Sequence, residues 1–355
     1  MRLTIDGRNV EAAEGMSILQ AAKTVGIEIP TLCYLEGISD IGSCRLCVVE
    51  VEGKNELATA CNTKAKEGMV VQTASERVIE ARKTVLKLLL SNHNIDCFNC
   101  EKNGDCELQK YCNIYGIDTT PYFGSRGLLE CEIPKKDAHP FLSYDQSKCI
   151  YSQRCVQTCR VATGRRAIKL RRTGKFTIID APFGDDWEET RCESCGNCAQ
   201  ACPTGALTIK RRKNYRKYQI DKKVLTTCPH CATGCQYYLL VKDNKIVDVE
   251  AADGPSNKGL LCVKGRSGSF DFVHSGDRIK YPLIKNHETG EFERATWDEA
   301  LDLVATKFLD IKKNYGTDAL AGFACSRSTN EDIYMMQKLV RCGFGNNNVD
   351  NCARV

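Results

Sequence analysis

Long hydrophobic runs are missing from this sequence. The longest candidate, Val85–Leu90, is interrupted by Lys87 and is far shorter than the roughly 20 residues that a helix needs to span a bilayer. The N-terminal segment carries Asp6 and lacks the apolar core of a secretory signal. These absences predict a cytoplasmic protein without a membrane span.

A strong charge excess and the common catalytic motifs are also missing. Lys and Arg total 50 against 45 Asp and Glu, a formal net charge of +5, which is too small to indicate a nucleic-acid partner. The basic runs at 165–175 and 210–223 are interpreted as a solvated hairpin and a linker. No nucleophile pairs with a recognisable base, and no Gly-rich dinucleotide loop is present.

Cysteine is what the chain has in abundance, with 23 in 355 residues. The cysteines lie in short clusters, whereas the cysteines of a disulfide scaffold are widely spaced. We therefore interpret them as metal ligands. The length and the 42% of hydrophobic residues allow several domains with their own cores.

The first ligand set comprises Cys33, Cys44, Cys47 and Cys61. It follows an Asp-Gly hairpin and a short helix that begins after Ser17, an order that predicts a small sheet with one packed helix. One close pair with two outlying cysteines favours a 2Fe-2S cluster. A four-cysteine zinc site is the alternative, but its ligands usually come as two close pairs.

The second set comprises His93, Cys97, Cys100 and Cys106, and it follows a helix predicted from Ser75 to Leu90. The chain has only five histidines, and His93 lies four residues before a C-x2-C pair. We therefore predict that His93 is a ligand of a 4Fe-4S cluster. Neutral imidazole in place of a thiolate favours the reduced cluster and raises its potential.

The third and fourth sets form a two-cluster ferredoxin pattern. The first run has Cys149, Cys155 and Cys159, and its second position is Ser152, a doubtful ligand. The second run is complete, with the ligands Cys192, Cys195, Cys198 and Cys202. The fourth cysteine of each run ligates the other cluster in such folds, which assigns Cys159 to the cluster of the second run. The cluster left with three thiolates is expected to be serine-ligated, reduced to 3Fe-4S or completed by Cys131, and these alternatives stay open.

The fifth set comprises Cys228, Cys231, Cys235 and Cys262 and predicts one more 4Fe-4S cluster. The cysteines that remain are interpreted as small buried hydrophobes: Cys112, Cys131, Cys325, Cys342 and Cys352.

The order of these sets resembles known redox proteins along the whole chain. The first four resemble the electron-input subunit of respiratory complex I and the front half of iron-only hydrogenases. The fifth set, with "LCVKGR" from Leu261 and "NNVDNCARV" ending at Val355, resembles molybdenum- or tungsten-dependent formate dehydrogenases that carry two pyranopterin guanine dinucleotides. The departure from the family pattern is Ser152.

This resemblance implies that the full-length enzyme interconverts formate and carbon dioxide. It places Lys264 between the proximal pterin and the Cys228 cluster, and a metal-binding selenocysteine or cysteine directly after Val355, followed by a catalytic histidine. A selenocysteine codon taken as a stop would explain the last residue; a deliberately shortened chain is the alternative. Electrons would leave through the cluster series to an NAD(P)- or ferredoxin-linked oxidoreductase or a hydrogenase partner. A complex I type subunit and a non-catalytic hydrogenase adaptor are the alternative functions.

The predicted fold class is α+β multidomain. We expect a 2Fe-2S β-grasp domain at 1–77, a helical cluster domain with one histidine and three cysteine ligands at 78–120, and a two-cluster ferredoxin domain at 140–212. A molybdopterin-oxidoreductase 4Fe-4S domain is expected at 221–280, and the start of a pterin-binding α/β domain at 281–355. In the last, the strand around Ala319–Ala324 is expected at an open edge, and the helix after Asn330 is expected to expose apolar side chains among Ile333, Met336, Leu339 and Val340.

Overall fold

A computed structural model of the protein describes residues 1–122, 138–173, 176–180, 187–210, 215–268 and 270–352. Cys131, one candidate for the incomplete ligand set, lies outside the described residues. The chain divides into two compact units, Met1–Ile220 and Asp221–Val355. Within the described ranges, no helix combines the length and the apolar character needed to cross a bilayer.

The first unit begins with a mixed sheet and one helix, as the hairpin and capping signals predict. The strands and the helix are β1 Arg2–Ile5, β2 Arg8–Glu11, α1 Ile18–Thr24, β3 Val48–Val51, β4 Ala58–Thr59 and β5 Val70–Gln72. The strand order is β2-β1-β5-β3-β4, with β1 and β5 parallel. A capping box between Ser17 and Gln20 starts α1, which buries Ile18 and Ala22 against the sheet.

Two helices follow, α2 (Glu76–Ser91) and α3 (Glu107–Ile114). Ser75 caps α2, which ends two residues before His93. One hydrophobic cluster, here called the shared core, joins these helices to the loops of the first and third ligand sets. Its members are Leu32, Cys33, Cys44, Leu46, Leu86, Leu90, Leu108, Cys112, Ile117 and Ile150.

The rest of the first unit is built around two cysteine loops, each ending in a short helix. The elements are β6 Leu142–Tyr144, α4 Arg154–Gln157, β7 Lys169–Thr173, β8 Phe176–Asp180, α5 Asn197–Ala201 and β9 Leu207–Ile209. Strands β6 and β9 pair antiparallel, and β7 and β8 form a hairpin. The core of this region contains Leu142, Ile168, Ile179 and Leu207, and it packs directly against the cysteines.

The second unit opens with an antiparallel sheet of β10 (Lys222–Thr227), β11 (Gln236–Lys242) and β12 (Lys245–Ala251). Asp243 and Asn244 form the β11–β12 turn and both have positive φ, which these residue types tolerate better than most. The helix α6 (Val263–Ser267) follows, and then the hairpin of β13 (Leu283–Lys285) and β14 (Phe292–Arg294).

The second unit ends in a long helix followed by a strand–helix–strand arrangement. The elements are α7 Trp297–Tyr315, β15 Gly322–Ala324, α8 Asn330–Lys338 and β16 Val349–Asn351, with β15 and β16 parallel. Phe323 on β15 is 77% exposed and Leu339 is 44% exposed, as expected for this region. Val340, one of the candidates for exposure, is instead fully buried because it packs in a small cluster with Leu320 and Phe344.

Candidate iron–sulfur centres

The first ligand set is a buried group of four thiols in mutual contact. Hydrogen bonds from Cys44 and Cys61 lower the pKa of Cys33 to about 2, and a hydrogen bond with Cys61 lowers the pKa of Cys47. The same contacts raise the pKa values of Cys44 and Cys61. Four converging sulfur donors in an apolar setting fit a thiolate-held iron cluster, whose positive iron ions offset the thiolate charges.

The second set lies between α2 and α3. His93 is 7% exposed, and Cys106 is the residue that precedes α3. Burial raises the pKa of Cys106 to about 11, and Cys100 adds to this shift. Burial and then Cys100 raise the pKa of Cys97. The three thiols therefore share one region, and the ligand role of His93 stays a prediction.

Cys112 lies in this same region, on α3, and the sequence offered no motif for it. It is buried, as predicted for a leftover cysteine, and burial raises its pKa to about 11. The further contributions to that shift come from Cys106 and Cys97, so a fourth thiol lies near the second set. Cys112 follows Cys106 by six residues, on the helix that begins directly after Cys106. This short separation is the signal in the sequence that could have indicated a thiol near the second set.

The two ferredoxin-like loops have the same backbone conformation. Tyr151 and Gln153 have φ of 54° and 58° in the first loop, and Ser194 and Gly196 have 57° and 70° at the matching places in the second. Because the residues on either side of Ser152 and of Cys195 have similar positive φ, Ser152 occupies the place in the first loop that Cys195 has in the second.

Hydrogen bonds from the backbone repeat in the same way. The N–H of Tyr151 donates to Sγ of Cys149 at 3.4 Å, and the N–H of Ser194 donates to Sγ of Cys192 at 3.4 Å. Ser152 Oγ accepts the N–H of Arg154 at 3.5 Å, again from two residues downstream. Ser152 is only 7% exposed, so its hydroxyl is buried within the loop together with this hydrogen bond.

Electrostatic contacts divide the seven cysteines of these loops into two groups. Burial raises the pKa of Cys198 well above its usual value, and Cys195, Cys192 and Cys159 add to the shift. Burial likewise raises the pKa of Cys155, where Cys202 and Cys149 are the next contributors and Cys198, from the other group, follows them. These groups are the two crossed sets that the ferredoxin pattern predicts, although their ligand roles stay predictions.

The fifth set is grouped around Cys228, which is 5% exposed. Burial raises its pKa, the backbone N–H of His230 lowers it, and Cys235, Cys262 and Cys231 raise it further. A Cβ atom at Gly265 would lie 3.7 Å from Cys228 Sγ, so α6 approaches this set closely. Lys264 is on the same helix and is exposed.

Three leftover cysteines differ from our expectation. Cys325, Cys342 and Cys352 are exposed, whereas we predicted small buried hydrophobes. The parallel pairing of β15 and β16 brings Cys325 and Cys352 together at the strand ends, with their Sγ atoms 3.7 Å apart. Neither cysteine belongs to a spacing motif, so their contact depends on the strand pairing.

No group of three or more His, Cys, Asp or Glu side chains is close enough to hold a single metal ion in the part of the chain that the structure describes. The ligands of an iron–sulfur cluster bind different iron atoms, and they therefore stand farther apart than the ligands of a mononuclear ion.

Family models match the chain in the predicted order. They are described as a 2Fe-2S iron-sulfur cluster binding domain at 1–76, an NADH-ubiquinone oxidoreductase-G iron-sulfur binding region at 82–121, a 4Fe-4S binding domain at 186–208, a molybdopterin oxidoreductase Fe4S4 domain at 221–274 and a molybdopterin oxidoreductase at 278–355. This order confirms the predicted fold class.

Three curated relatives match almost the whole chain. They are the NADPH-Fe(3+) oxidoreductase subunit alpha of Geobacter sulfurreducens at 38% identity over 353 residues, an NADH-quinone oxidoreductase subunit of Rhizobium meliloti at 35% over 358 and a "putative formate dehydrogenase" of Staphylococcus aureus at 33% over 397. These matches cover 99%, 100% and 99% of this chain. The chain spans only 40%, 40% and 39% of these relatives.

A solved structure adds a match of the fold. A chain in the crystal structure of the NAD+-reducing [NiFe]-hydrogenase in the H2-reduced state is 30% identical, with a TM-score of 0.52. The match covers 59% of this chain and 87% of that chain. The protein therefore belongs to the family of iron–sulfur electron-transfer proteins that includes molybdopterin oxidoreductases and NADH-dehydrogenase-like subunits.

Proposed function

We propose that this chain is the iron–sulfur part of a formate dehydrogenase that interconverts formate and carbon dioxide in its full-length form. The observation that carries the proposal is the position of α6, with its "VKGR" sequence, against Cys228 in the fifth ligand set. The match of this region to a molybdopterin oxidoreductase Fe4S4 domain and the Staphylococcus aureus relative support it. The electrons would pass between a molybdenum- or tungsten-pterin site and a partner redox subunit.

The residues have the following proposed roles. The first set holds a 2Fe-2S cluster, His93 with Cys97, Cys100 and Cys106 holds a 4Fe-4S cluster, and the crossed sets and the fifth set hold three more, one of them incomplete at Ser152. Bound clusters supply one-electron redox chemistry. The protein encloses the thiolates in apolar surroundings and donates backbone N–H groups to them, which tunes their potentials.

The packing inside the first unit supports electron transfer between neighbouring sets. The shared core contains Cys33 and Cys44 of the first set together with Cys112 and Ile150. Ser43, next to Cys44, donates to the carbonyl oxygen of Ser152 at 3.4 Å. These contacts keep the first three sets adjacent to one another.

Lys264 has a proposed role in the second unit. We propose that its ammonium group lies between the fifth set and the bis-pyranopterin guanine dinucleotide of the full-length enzyme, where it would bind and orient the pterin. Its exposure in the described structure is compatible with contact to a further group.

A second candidate is the electron-input subunit of an NAD(P)H-linked complex. The matches to the Geobacter and Rhizobium relatives and to the NAD+-reducing hydrogenase structure favour this function. The two candidates share the clusters and differ in the molecule that reduces them.

The test compares reductants on the full-length enzyme, purified without oxygen from its own host. If the first proposal is correct, formate alone reduces the clusters, as seen by EPR and by bleaching of visible absorption. Lys264→Ala should slow the formate reaction by at least about tenfold and leave reduction by dithionite unchanged, and Lys280→Ala, which alters an exposed lysine of the same unit, should have no effect. Reduction by NADPH or NADH without any by formate would overturn the proposal in favour of the second candidate.

A further inference from the structure

His139 is a fully buried histidine that no ligand motif includes. It lies just before β6, is 0% exposed and packs against the ring of Trp187, with the ring centroids 4.7 Å apart. Its Nδ1 accepts two backbone N–H groups, from Phe141 and from Leu142, each at 3.1 Å. An accepting Nδ1 carries no proton, so the neutral ring has its proton on Nε2.

The protonated Nε2 atom lies beside a proposed cluster ligand. It is 3.7 Å from Sγ of Cys192 and 3.4 Å from Oγ of Ser194. The ring is neutral because its Nδ1 atom is an acceptor and Nε2 carries its one proton. A neutral donor with one N–H group thus points at two acceptors, a sulfur and a hydroxyl.

We propose that His139 donates its Nε2–H to Sγ of Cys192 and thereby raises the reduction potential of the cluster that Cys192, Cys195, Cys198 and Cys159 hold. The inference rests on the proposed ligand role of Cys192. A cluster-bound thiolate carries negative charge, and hydrogen bonds to charged acceptors are stronger than those to neutral ones. The sulfur is then a better acceptor than the Ser194 hydroxyl, which can also act as a donor. Since reduction adds negative charge, the hydrogen bond stabilises the reduced state more than the oxidised state.

The corresponding cysteine of the neighbouring set is Cys149, which matches Cys192 in the loop repeat. The hydroxyl of Tyr144 lies near this thiol, but it donates its one proton to Oε1 of Gln146. His139 therefore acts on one of the two crossed sets, and Tyr144 provides a comparison beside the other.

The decisive variant is His139→Asn in the anaerobically purified protein. The Asn oxygen can still accept the two backbone N–H groups, but its side chain is too short to reach Sγ. We expect the reduced-to-oxidised ratio of the Cys192 cluster at a fixed potential to fall about tenfold, which corresponds to about 59 mV for a one-electron couple. EPR-monitored redox titration measures this shift, and the H/D exchange effect on the Fe–S stretching bands in resonance Raman spectra should decrease, because the backbone N–H of Ser194 is left as a donor to Cys192.

Three further variants separate donation from packing. His139→Gln keeps an N–H donor at the right reach and should restore most of the potential, and Ser194→Ala removes the competing acceptor and should cause no negative shift. Tyr144→Phe removes a hydroxyl beside Cys149 and should leave the potential of the Cys192 cluster unchanged. An unchanged potential in His139→Asn, or an equal shift of every cluster, would overturn the inference. Cys192→Ser identifies the EPR signal, and a cluster content and spectrum unaffected by it would instead overturn the ligand role of Cys192.

Discussion

Gly205 lies directly against the sulfur of Cys100, so that a Cβ atom at position 205 would overlap Sγ. Gly205 follows Cys202 by three residues, and it therefore joins the second ligand set to the two-cluster region. The backbone N–H of Glu107, next to Cys106, donates to the carbonyl oxygen of Pro203 at 2.9 Å. This hydrogen bond is a second contact between the same two regions.

Gly205→Ala should therefore damage the second set. The added methyl group must displace Cys100 or the 205 backbone, and overpacking of this kind costs about 1–3 kcal/mol. We expect a lower iron content and a weaker EPR signal from this cluster. Gly276→Ala is the matched control because a Cβ atom there meets no neighbour within 4 Å, and equal behaviour of the two variants would contradict the expectation.

Ser152→Cys should complete the set that contains Cys149, Cys155 and Cys202. Because the residues on either side of Ser152 have positive φ like those on either side of Cys195, and Ser152 Oγ accepts a backbone N–H, a thiol can replace the hydroxyl without rearrangement. We expect a 4Fe-4S signal with four thiolate ligands and no loss of stability. Iron analysis and EPR check this.

Ser152→Ala separates the remaining alternatives for this set. If the serine oxygen is a ligand, the alanine variant loses iron; if the parent protein holds a 3Fe-4S cluster, its spectrum stays the same. Ordinary 4Fe-4S spectra in the parent and in both variants would show that a different residue completes the set.

His93→Cys tests the histidine ligand. A thiolate in place of imidazole adds negative charge at one iron, so the potential of this cluster should fall while the others stay nearly constant. Redox titration followed by EPR measures the shift. A titration identical to that of the parent would exclude His93 as a ligand.

The exposed pair at the strand ends yields a prediction about pH. A hydrogen bond from the Ser326 hydroxyl lowers the pKa of the Cys352 thiol, and the Ser326 N–H and Cys325 contribute further. Cys352 should therefore be a thiolate, and react with iodoacetamide, at lower pH than an ordinary cysteine. Ser326→Ala should move its alkylation profile to higher pH, as followed by peptide mass spectrometry. Identical profiles would show that Ser326 does not stabilise the thiolate.

The proximity of the thiols within each set could be predicted from sequence because it depends on local geometry. A C-x2-C loop places its sulfurs through a few backbone angles, so the spacing of Cys192, Cys195 and Cys198 already predicts that they lie close together. The assignment of Cys159 and Cys202 to the opposite sets follows from the repeated motif and stays a prediction, as do the ligand roles. The capped helices were predictable for the same reason, since Ser17 and Ser75 act on residues within one turn.

The contacts that the sequence could not reveal are set by tertiary packing. His139 and Cys192 are 53 residues apart, and only the fold brings Nε2 to the sulfur. The prediction that Cys325 and Cys352 are buried was wrong because burial depends on which elements cover a strand end. Among the four candidates for exposure after Asn330, Leu339 is exposed but Val340 is buried, since its burial depends on the approach of Phe344 within a small cluster.

The shared core affects how the clusters are assembled and how a module could be exchanged between homologous proteins. Because one apolar cluster contains Cys33 and Cys44, the helices α2 and α3, and Ile150, these segments cannot lose their packing one at a time. Iron loading at one centre then strengthens the framework of its neighbours, and damage at one centre weakens the others. The N-terminal modules should thus mature together as a cooperative unit. Exchanging one of them for a homologous module would require its buried face to be exchanged as well.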